Sequence, residues 1–258
     1  MAAETTVTPS APRTPGKPGL SRAGYAKQVR KLSEASVHKH WEAYVDIAWD
    51  DPALAVDLGD QRWQLLAGDP LAEHPWFKRQ TAEVQTRIAL TRIATSMRVG
   101  IEFENLLSRG LLIMAAKQAN GSETFRYAYH EVIEEGHHTL MFQEVINRTR
   151  LPIRGLPRRH WHFLRLAQVF AVHTRPEAFF VGVLGGEEPI DYLQRKALRS
   201  SATLHPLLER IFRIHVSEEA RHVSFAQAFL RRRTAELGGF RRGLLSLTAP
   251  LIAAHRPI

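Results

Sequence analysis

His215, Glu219 and His222 lie four and then three residues apart, a spacing that stacks side chains on one face of an α-helix over two turns. The same face carries Leu208, Phe212, Ala226 and Phe229, so two imidazoles and a carboxylate interrupt an apolar stripe. Burying such groups is costly unless something binds them, and a divalent cation is the partner that suits all three. A second pair, Glu135 and His138, repeats the Glu-x-x-His spacing. On its helical wheel Glu135 aligns with Val132, Thr139 and Phe142, and His138 lies beside Phe142 and Val145, so both point inward. The overlapping pair Glu134 and His137 sits further round the helix and is the weaker candidate.

Two Glu-x-x-His helices in a four-helix bundle form half of a two-metal carboxylate site; each remaining core helix then supplies one Glu. On the first of these, Glu104 shares a line with Ile93, Met97, Gly100, Leu107, Leu111 and Met114. Glu102 neighbours Arg98, Asn105 and Arg109, and is expected in solvent-exposed pairs. On the other, Glu187 has Val183, Leu184 and Ile190 around it, whereas Glu188 meets Asp191 and Tyr192; the apolar setting favours Glu187. The ligand set is then Glu104, Glu135, His138, Glu187, His215, Glu219 and His222. Carboxylates with imidazoles suit iron, with manganese the alternative ion. His215 is additional to the bundle motif, one turn before its second Glu-x-x-His.

The elements that must position these residues are helical throughout. Ser21 to Trp49 carries a helical pattern that ends in Trp41, Tyr44, Ile47 and Trp49. A long tract runs from Phe77 to about Ala119, and Ser122 is placed to cap a helix reaching about Thr149. Leu151 to His160, with Pro152, Gly155 and Pro157, reads as a crossover loop. Helical pattern resumes at Trp161, breaks at Arg175-Pro176 and continues to about Arg199; Pro189 threatens to distort it. The His215 helix ends by Gly238-Gly239, and Gly243 to Ala254 reads as a further helix packed on the bundle. No strand alternation or internal repeat is present. The expected fold is all-α, with four long core helices and additional N- and C-terminal helices.

Composition narrows the function. The chain has 258 residues, 44% hydrophobic and 24% charged, which fits one globular core. It has no Cys, which excludes disulfides and thiolate metal sites and makes a reducing cytoplasm the natural setting. Residues 1–20 contain Pro9, Pro12, Pro15 and Pro18 with few large apolar side chains and read as a disordered tail; residues 21–258 read as one domain. No apolar run of about 18 residues is present, so no membrane span is expected. The net charge of +9 comes in short groups, Arg158-Arg159, Arg231-Arg232-Arg233 and Arg241-Arg242, near helix ends or loops. No nucleic-acid-binding pattern accompanies them, so they read as solvated faces rather than a nucleic-acid site.

The segments EFENLL around Glu104, EVIEEGHHTLMF around Glu135 and His138, GGEEPID around Glu187, and HVSEEARHVSF from His215 to His222 resemble the para-aminobenzoate N-oxygenase (AurF-type) family. These are ferritin-like non-haem di-iron oxygenases, and the motifs span most of the chain after residue 90. The resemblance implies two irons on seven protein ligands, and it supports Glu104 over Glu102 and Glu187 over Glu188. It also implies activation of O₂ as co-substrate and oxidation of an amine nitrogen toward hydroxylamine, nitroso or nitro. Phe103, Tyr127, Phe142, Phe180 and Phe212 are near the ligands and could line a substrate pocket or simply be core. Electrons would come from an external donor or reductase, since no flavin or nicotinamide fingerprint is visible. Three alternatives stay open: a di-iron hydroxylase or desaturase acting on carbon, a non-catalytic ferritin-like metal-binding protein, and a basic helical DNA-binding protein. Monomer and homodimer both remain compatible.

Overall fold

The computed structural model describes residues 19–200 and 204–254. The Pro-rich stretch lies outside them except for Gly19 and Leu20, and Leu20 packs against buried side chains. Helix α1 spans Arg22–His38, and Ser21 caps it by accepting from the Gly24 amide at 3.1 Å. A short helix α2 (Pro75–Lys78) precedes α3 (Ala82–Ala115), α4 (Glu123–Thr149), α5 (Arg158–Thr174), α6 (Pro176–Arg199), α7 (Pro206–Glu236) and α8 (Gly239–Ala254). No strand occurs among the described residues.

Four of these helices form the bundle. The α3–α4 pair is joined by a short turn, and Ser122 starts α4 by accepting from the Phe125 amide at 3.1 Å, as its position predicts. The α6–α7 pair packs in the same manner. Helix α1 covers α4 and α7, α5 lies against α3 and α6, and α8 rests on α6. The architecture is the all-α bundle with additional helices at both ends that the pattern predicts, and it is ferritin-like as the family resemblance implies. Pro189 lies inside α6 without ending it.

Several expectations change. The first helix stops at His38, and Trp41 to Trp49 belongs to turns. The aromatic spacing there reflects packing, since Ala43, Ile47 and Trp49 are buried in a core cluster reached by an irregular chain. From Asp51 to Leu71 that chain is shaped by aspartates. Asp51, Asp57, Asp60 and Asp69 each accept from the amide two residues on, at 2.9 Å in every case. The tract expected from Phe77 to Ala119 is broken before Ala82, where Thr81 starts α3 by accepting from Val84, and α3 ends at Ala115. Helix α5 begins at Arg158, inside the expected crossover loop.

Glu102 is also more embedded than expected. Its pair with Arg98 is 3.6 Å, but it also accepts from the Leu156 amide at 2.9 Å and so pins the crossover loop to α3. A Cβ at Gly155 would displace that carboxylate from its place. Among the arginine groups, Arg158-Arg159 and Arg241-Arg242 are exposed, as expected. Arg231-Arg232-Arg233 is half-buried instead: Arg232 lies over the Tyr25 ring at 5.0 Å and Arg233 pairs with Glu177 at 3.3 Å.

The core is divided along the bundle axis. One apolar cluster gathers Leu90 to Ile101 of α3, Met141 to Val145 of α4 and Leu207 to Ile214 of α7. The other gathers Leu107 to Ala115 of α3, Tyr127 and Ala128 of α4, Phe179 to Val183 of α6 and Phe225 to Ala228 of α7. Between them, every core helix contributes buried titratable groups: Glu104, then Glu131 to His138, then Glu187, then His215 to His222.

Candidate metal centre

All seven sequence-predicted residues are buried in this middle layer. The α7 face forms as its spacing requires, because a continuous helix carries His215, Glu219 and His222 inward with Phe212 and Ala226. Glu187 is buried and Glu188 is exposed, where it accepts from Gln227 at 3.0 Å. Helix α6 packs closely on α3 beside Glu187, so that a Cβ at Gly186 would collide with the Phe103 ring.

Side-chain atoms converge in three groups, each within 4.8 Å: Glu104 with His138, His215 and Glu219; Glu104 with Glu135 and Glu187; and Glu131 with Glu135 and His222. His138 Nδ1 is 3.1 Å from Glu135 and 3.4 Å from Glu219. His222 Nδ1 is 2.9 Å from Glu135 and 3.2 Å from Glu219. His215 Nε2 lies 3.5 Å from Glu104 and 3.8 Å from Glu219, with its ring 4.5 Å from that of His138 and 5.3 Å from Phe142.

The outer nitrogens reveal residues that spacing alone missed. His138 Nε2 is held by Glu218 of α7 at 2.9 Å, and His222 Nε2 by Glu134 of α4 at 2.7 Å. Each helix thus supplies the carboxylate that orients the histidine of the other. Arg221 joins the two carboxylates, at 2.8 Å from Glu134 and 3.4 Å from Glu218. Fixing Nε2–H in this way leaves Nδ1 facing the central carboxylates, the arrangement that sets tautomer and ring orientation in metal-ligating histidines. Glu134 is therefore an inward residue, whereas His137 is half-exposed and accepts from the Ala43 amide at 3.2 Å. The missed signal is the repeated Glu-Glu-x-x-His, at Glu134-Glu135 and Glu218-Glu219.

Electrostatics sort the groups. Burial, then repulsion by Glu135, raises Glu104 well above the usual carboxylate range; burial, then Glu219 and Glu135, does the same to Glu187. Burial opposes the charge on Glu135 too, but cationic His222 and hydrogen bonds from Glu104 and His138 outweigh it and pull its pKa well down. Burial likewise disfavours charge on His138, yet hydrogen bonds to Glu135 and Glu218 push its pKa up to about 10. His215 has no such partner; burial, then the His138 charge, pushes it down to about 4, so its imidazole is neutral. Without a cation, protons hold this layer together, and any cation entering must displace them.

A metal fits on the chemistry of the donors. Glu104 Oε2, Glu135 Oε1, Glu219 Oε2, both oxygens of Glu187 and both nitrogens of His215 are buried without a hydrogen-bonded partner. Such orphaned polar atoms are rare in a folded core and are satisfied together by cations of hard or borderline character.

A model of the p-aminobenzoate N-oxygenase AurF family matches residues 22–255. The chain belongs to that family. Two of its relatives are uncharacterized protein Mb0909 of Mycobacterium bovis and uncharacterized protein Rv0885 of Mycobacterium tuberculosis. Each is 45% identical over 229 residues, covering 89% of this chain and 67% of the relative. No solved structure matches. As an AurF-family chain it carries the fold of a di-iron family, and its buried Glu and His clusters could hold metal. Among the described residues no helix is long and apolar enough to cross a membrane.

The aromatic candidates for a pocket lie mostly in the flanking clusters. Phe142 and Phe212 belong to one cluster, Tyr127 and Phe180 to the other, and Phe103 is half-buried against Gly186. A groove of about 560 Å³ lies on a neighbouring face of α6, between it and α8, and is lined by Leu184, Gly185, Glu188 and Pro250.

Proposed function

We propose that residues 21–258 form one non-haem di-iron oxygenase domain that uses O₂ to oxidise the nitrogen of a small amine, foremost an aryl amine, toward hydroxylamine, nitroso or nitro products. The observation that carries this reading is the convergence of Glu104, Glu135, His138, Glu187, His215, Glu219 and His222, with their orphaned buried atoms, in a chain of this family. Two irons held by these residues would supply O₂ activation and the oxidising power, with manganese the alternative ion.

The protein's own part is positioning and exclusion. His138 and His222 present Nδ1 inward because Glu218 and Glu134 hold Nε2–H. Glu104 and Glu187, protonated while the site holds no cation, each give up a carboxyl proton when one enters. Neutral His215 would add a donor without a proton to lose, and as an uncharged ligand it would offset less of a bound ion's charge than a carboxylate. The apolar clusters on either side keep bulk water out, which strengthens every electrostatic interaction within the layer. Electrons come from an external donor or reductase.

The test is to load the metal-free chain with Fe(II) anaerobically, add a chemical reductant and ¹⁸O₂, and offer a panel of aryl amines. Mass spectrometry should find the label on nitrogen. Label on carbon would establish the hydroxylase reading instead, and an unlabelled alkene formed with consumption of O₂ the desaturase reading. Two bound irons with no product and no O₂ consumption would leave a metal-binding protein without oxygenase activity.

A further inference from the structure

The two ligand helices carry the same pattern one turn further than the Glu-x-x-His motif. On α7 the order is His215, Glu219, His222; on α4 it is Glu131, Glu135, His138, with identical spacings of four and three. The correspondence extends to the orienting carboxylates, since Glu134 and Glu218 precede their motif glutamates and each reaches the other helix's histidine. Helices α4 and α7 are thus related by a local pseudo-twofold, and Glu131 stands where His215 stands on the partner helix.

Distances agree with this placement. His215 converges with His138, Glu104 and Glu219, while Glu131 converges with His222 and Glu135. Glu131 is fully buried, and neither of its carboxylate oxygens has a hydrogen-bonded partner. Its neighbour one turn back, Tyr127, also has a buried hydroxyl without a partner, so the tyrosine does not account for the carboxylate. Nor does Arg221, which is engaged by Glu134 and Glu218.

We propose that Glu131 is an eighth protein ligand, binding the metal ion on the His222 side of the centre as His215 binds the ion on the His138 side. This rests on the two-metal reading of the site. The two positions then differ in kind: the His138 side takes two imidazoles, and the His222 side takes one imidazole and an additional carboxylate. The latter is the harder and more negative site, better suited to a hard, oxygen-preferring ion.

Anaerobic titration of the metal-free chain with Co(II), followed by its visible absorption and by metal content, separates the possibilities. The unsubstituted chain should bind two ions with distinguishable spectra. Glu131→Gln, which is nearly isosteric, and Glu131→Leu, which removes both oxygens, should leave one ion bound normally and weaken the second at least about tenfold, the lower end of what loss of even an outer-shell partner costs. Two ions bound with unchanged affinity and spectrum in both variants would overturn the role of Glu131 while leaving the two-metal reading intact. Failure of the unsubstituted chain to bind two ions would overturn that reading itself. If neither variant folds, an anomalous-diffraction map of the Zn(II)-loaded unsubstituted chain decides: a Glu131 oxygen at about 2.0–2.2 Å from the ion supports the assignment, and none in that range removes it.

Discussion

Helix α7 crosses two kinds of interior within a few turns. From Leu207 to Ile214, and again from Phe225 to Ala228, its buried side chains are apolar and belong to clusters in which burial itself is stabilising, ~1.5–3 kcal/mol for each large side chain. Between them, His215, Glu218, Glu219, Arg221 and His222 are equally buried but gain nothing from leaving water. The apolar layers fold the protein, and the middle layer is tolerated because they do so. Metal-free stability and metal capacity should therefore respond oppositely to loss of an apolar side chain and to loss of an unpartnered carboxylate.

The largest expected effect lies in the apolar layer. Phe225→Ala removes a buried ring packed 4.6 Å from Tyr127 and 5.6 Å from Phe180, and should lower stability by ~3–5 kcal/mol in denaturant unfolding. Arg221→Met should come close to it. That substitution strips the cation from two buried carboxylates, a change of ~3–5 kcal/mol, and would show that part of the polar layer is structural in its own right.

Glu187→Leu should move the other way. Both oxygens of Glu187 are buried without a partner, so replacing them with apolar volume should leave the metal-free protein unchanged or raise its stability by ~1–3 kcal/mol, while iron content falls sharply. A loss of stability matching that of Phe225→Ala would abolish the distinction between the layers. The smallest effect belongs to the adjacent acid. Glu188→Ala touches an exposed side chain and should change stability by less than ~0.5 kcal/mol with iron content intact; an iron loss equal to that of Glu187→Leu would show the ligand to be wrongly chosen.

Much of this arrangement can be read from sequence, for a physical reason. A charged residue inside an apolar stripe is conspicuous at helical period, which is how Glu104 separates from Glu102 and Glu187 from Glu188. The reading weakens where a helix is buried on more than one face. Glu134 and Glu218 lie round the helix from the motif glutamates, in positions that would be solvent-facing on a peripheral helix; here they are buried, each bonded to the histidine of the other helix. Arg221 was hidden among many arginines, and its burial depends on that pair. Glu131 carries on α4 the same spacing that marks His215 on α7. The segment from Lys39 to Thr81 was least legible, because its Trp and Ile spacing imitates a helix while its aspartate-capped turns dictate otherwise.

Whether the middle layer holds two metals is read from iron stoichiometry. After anaerobic Fe(II) loading and removal of free metal, the unsubstituted chain should retain two irons per chain. Retention of far less than two, with the helical fold intact by circular dichroism, would show that the middle layer is not a two-metal site.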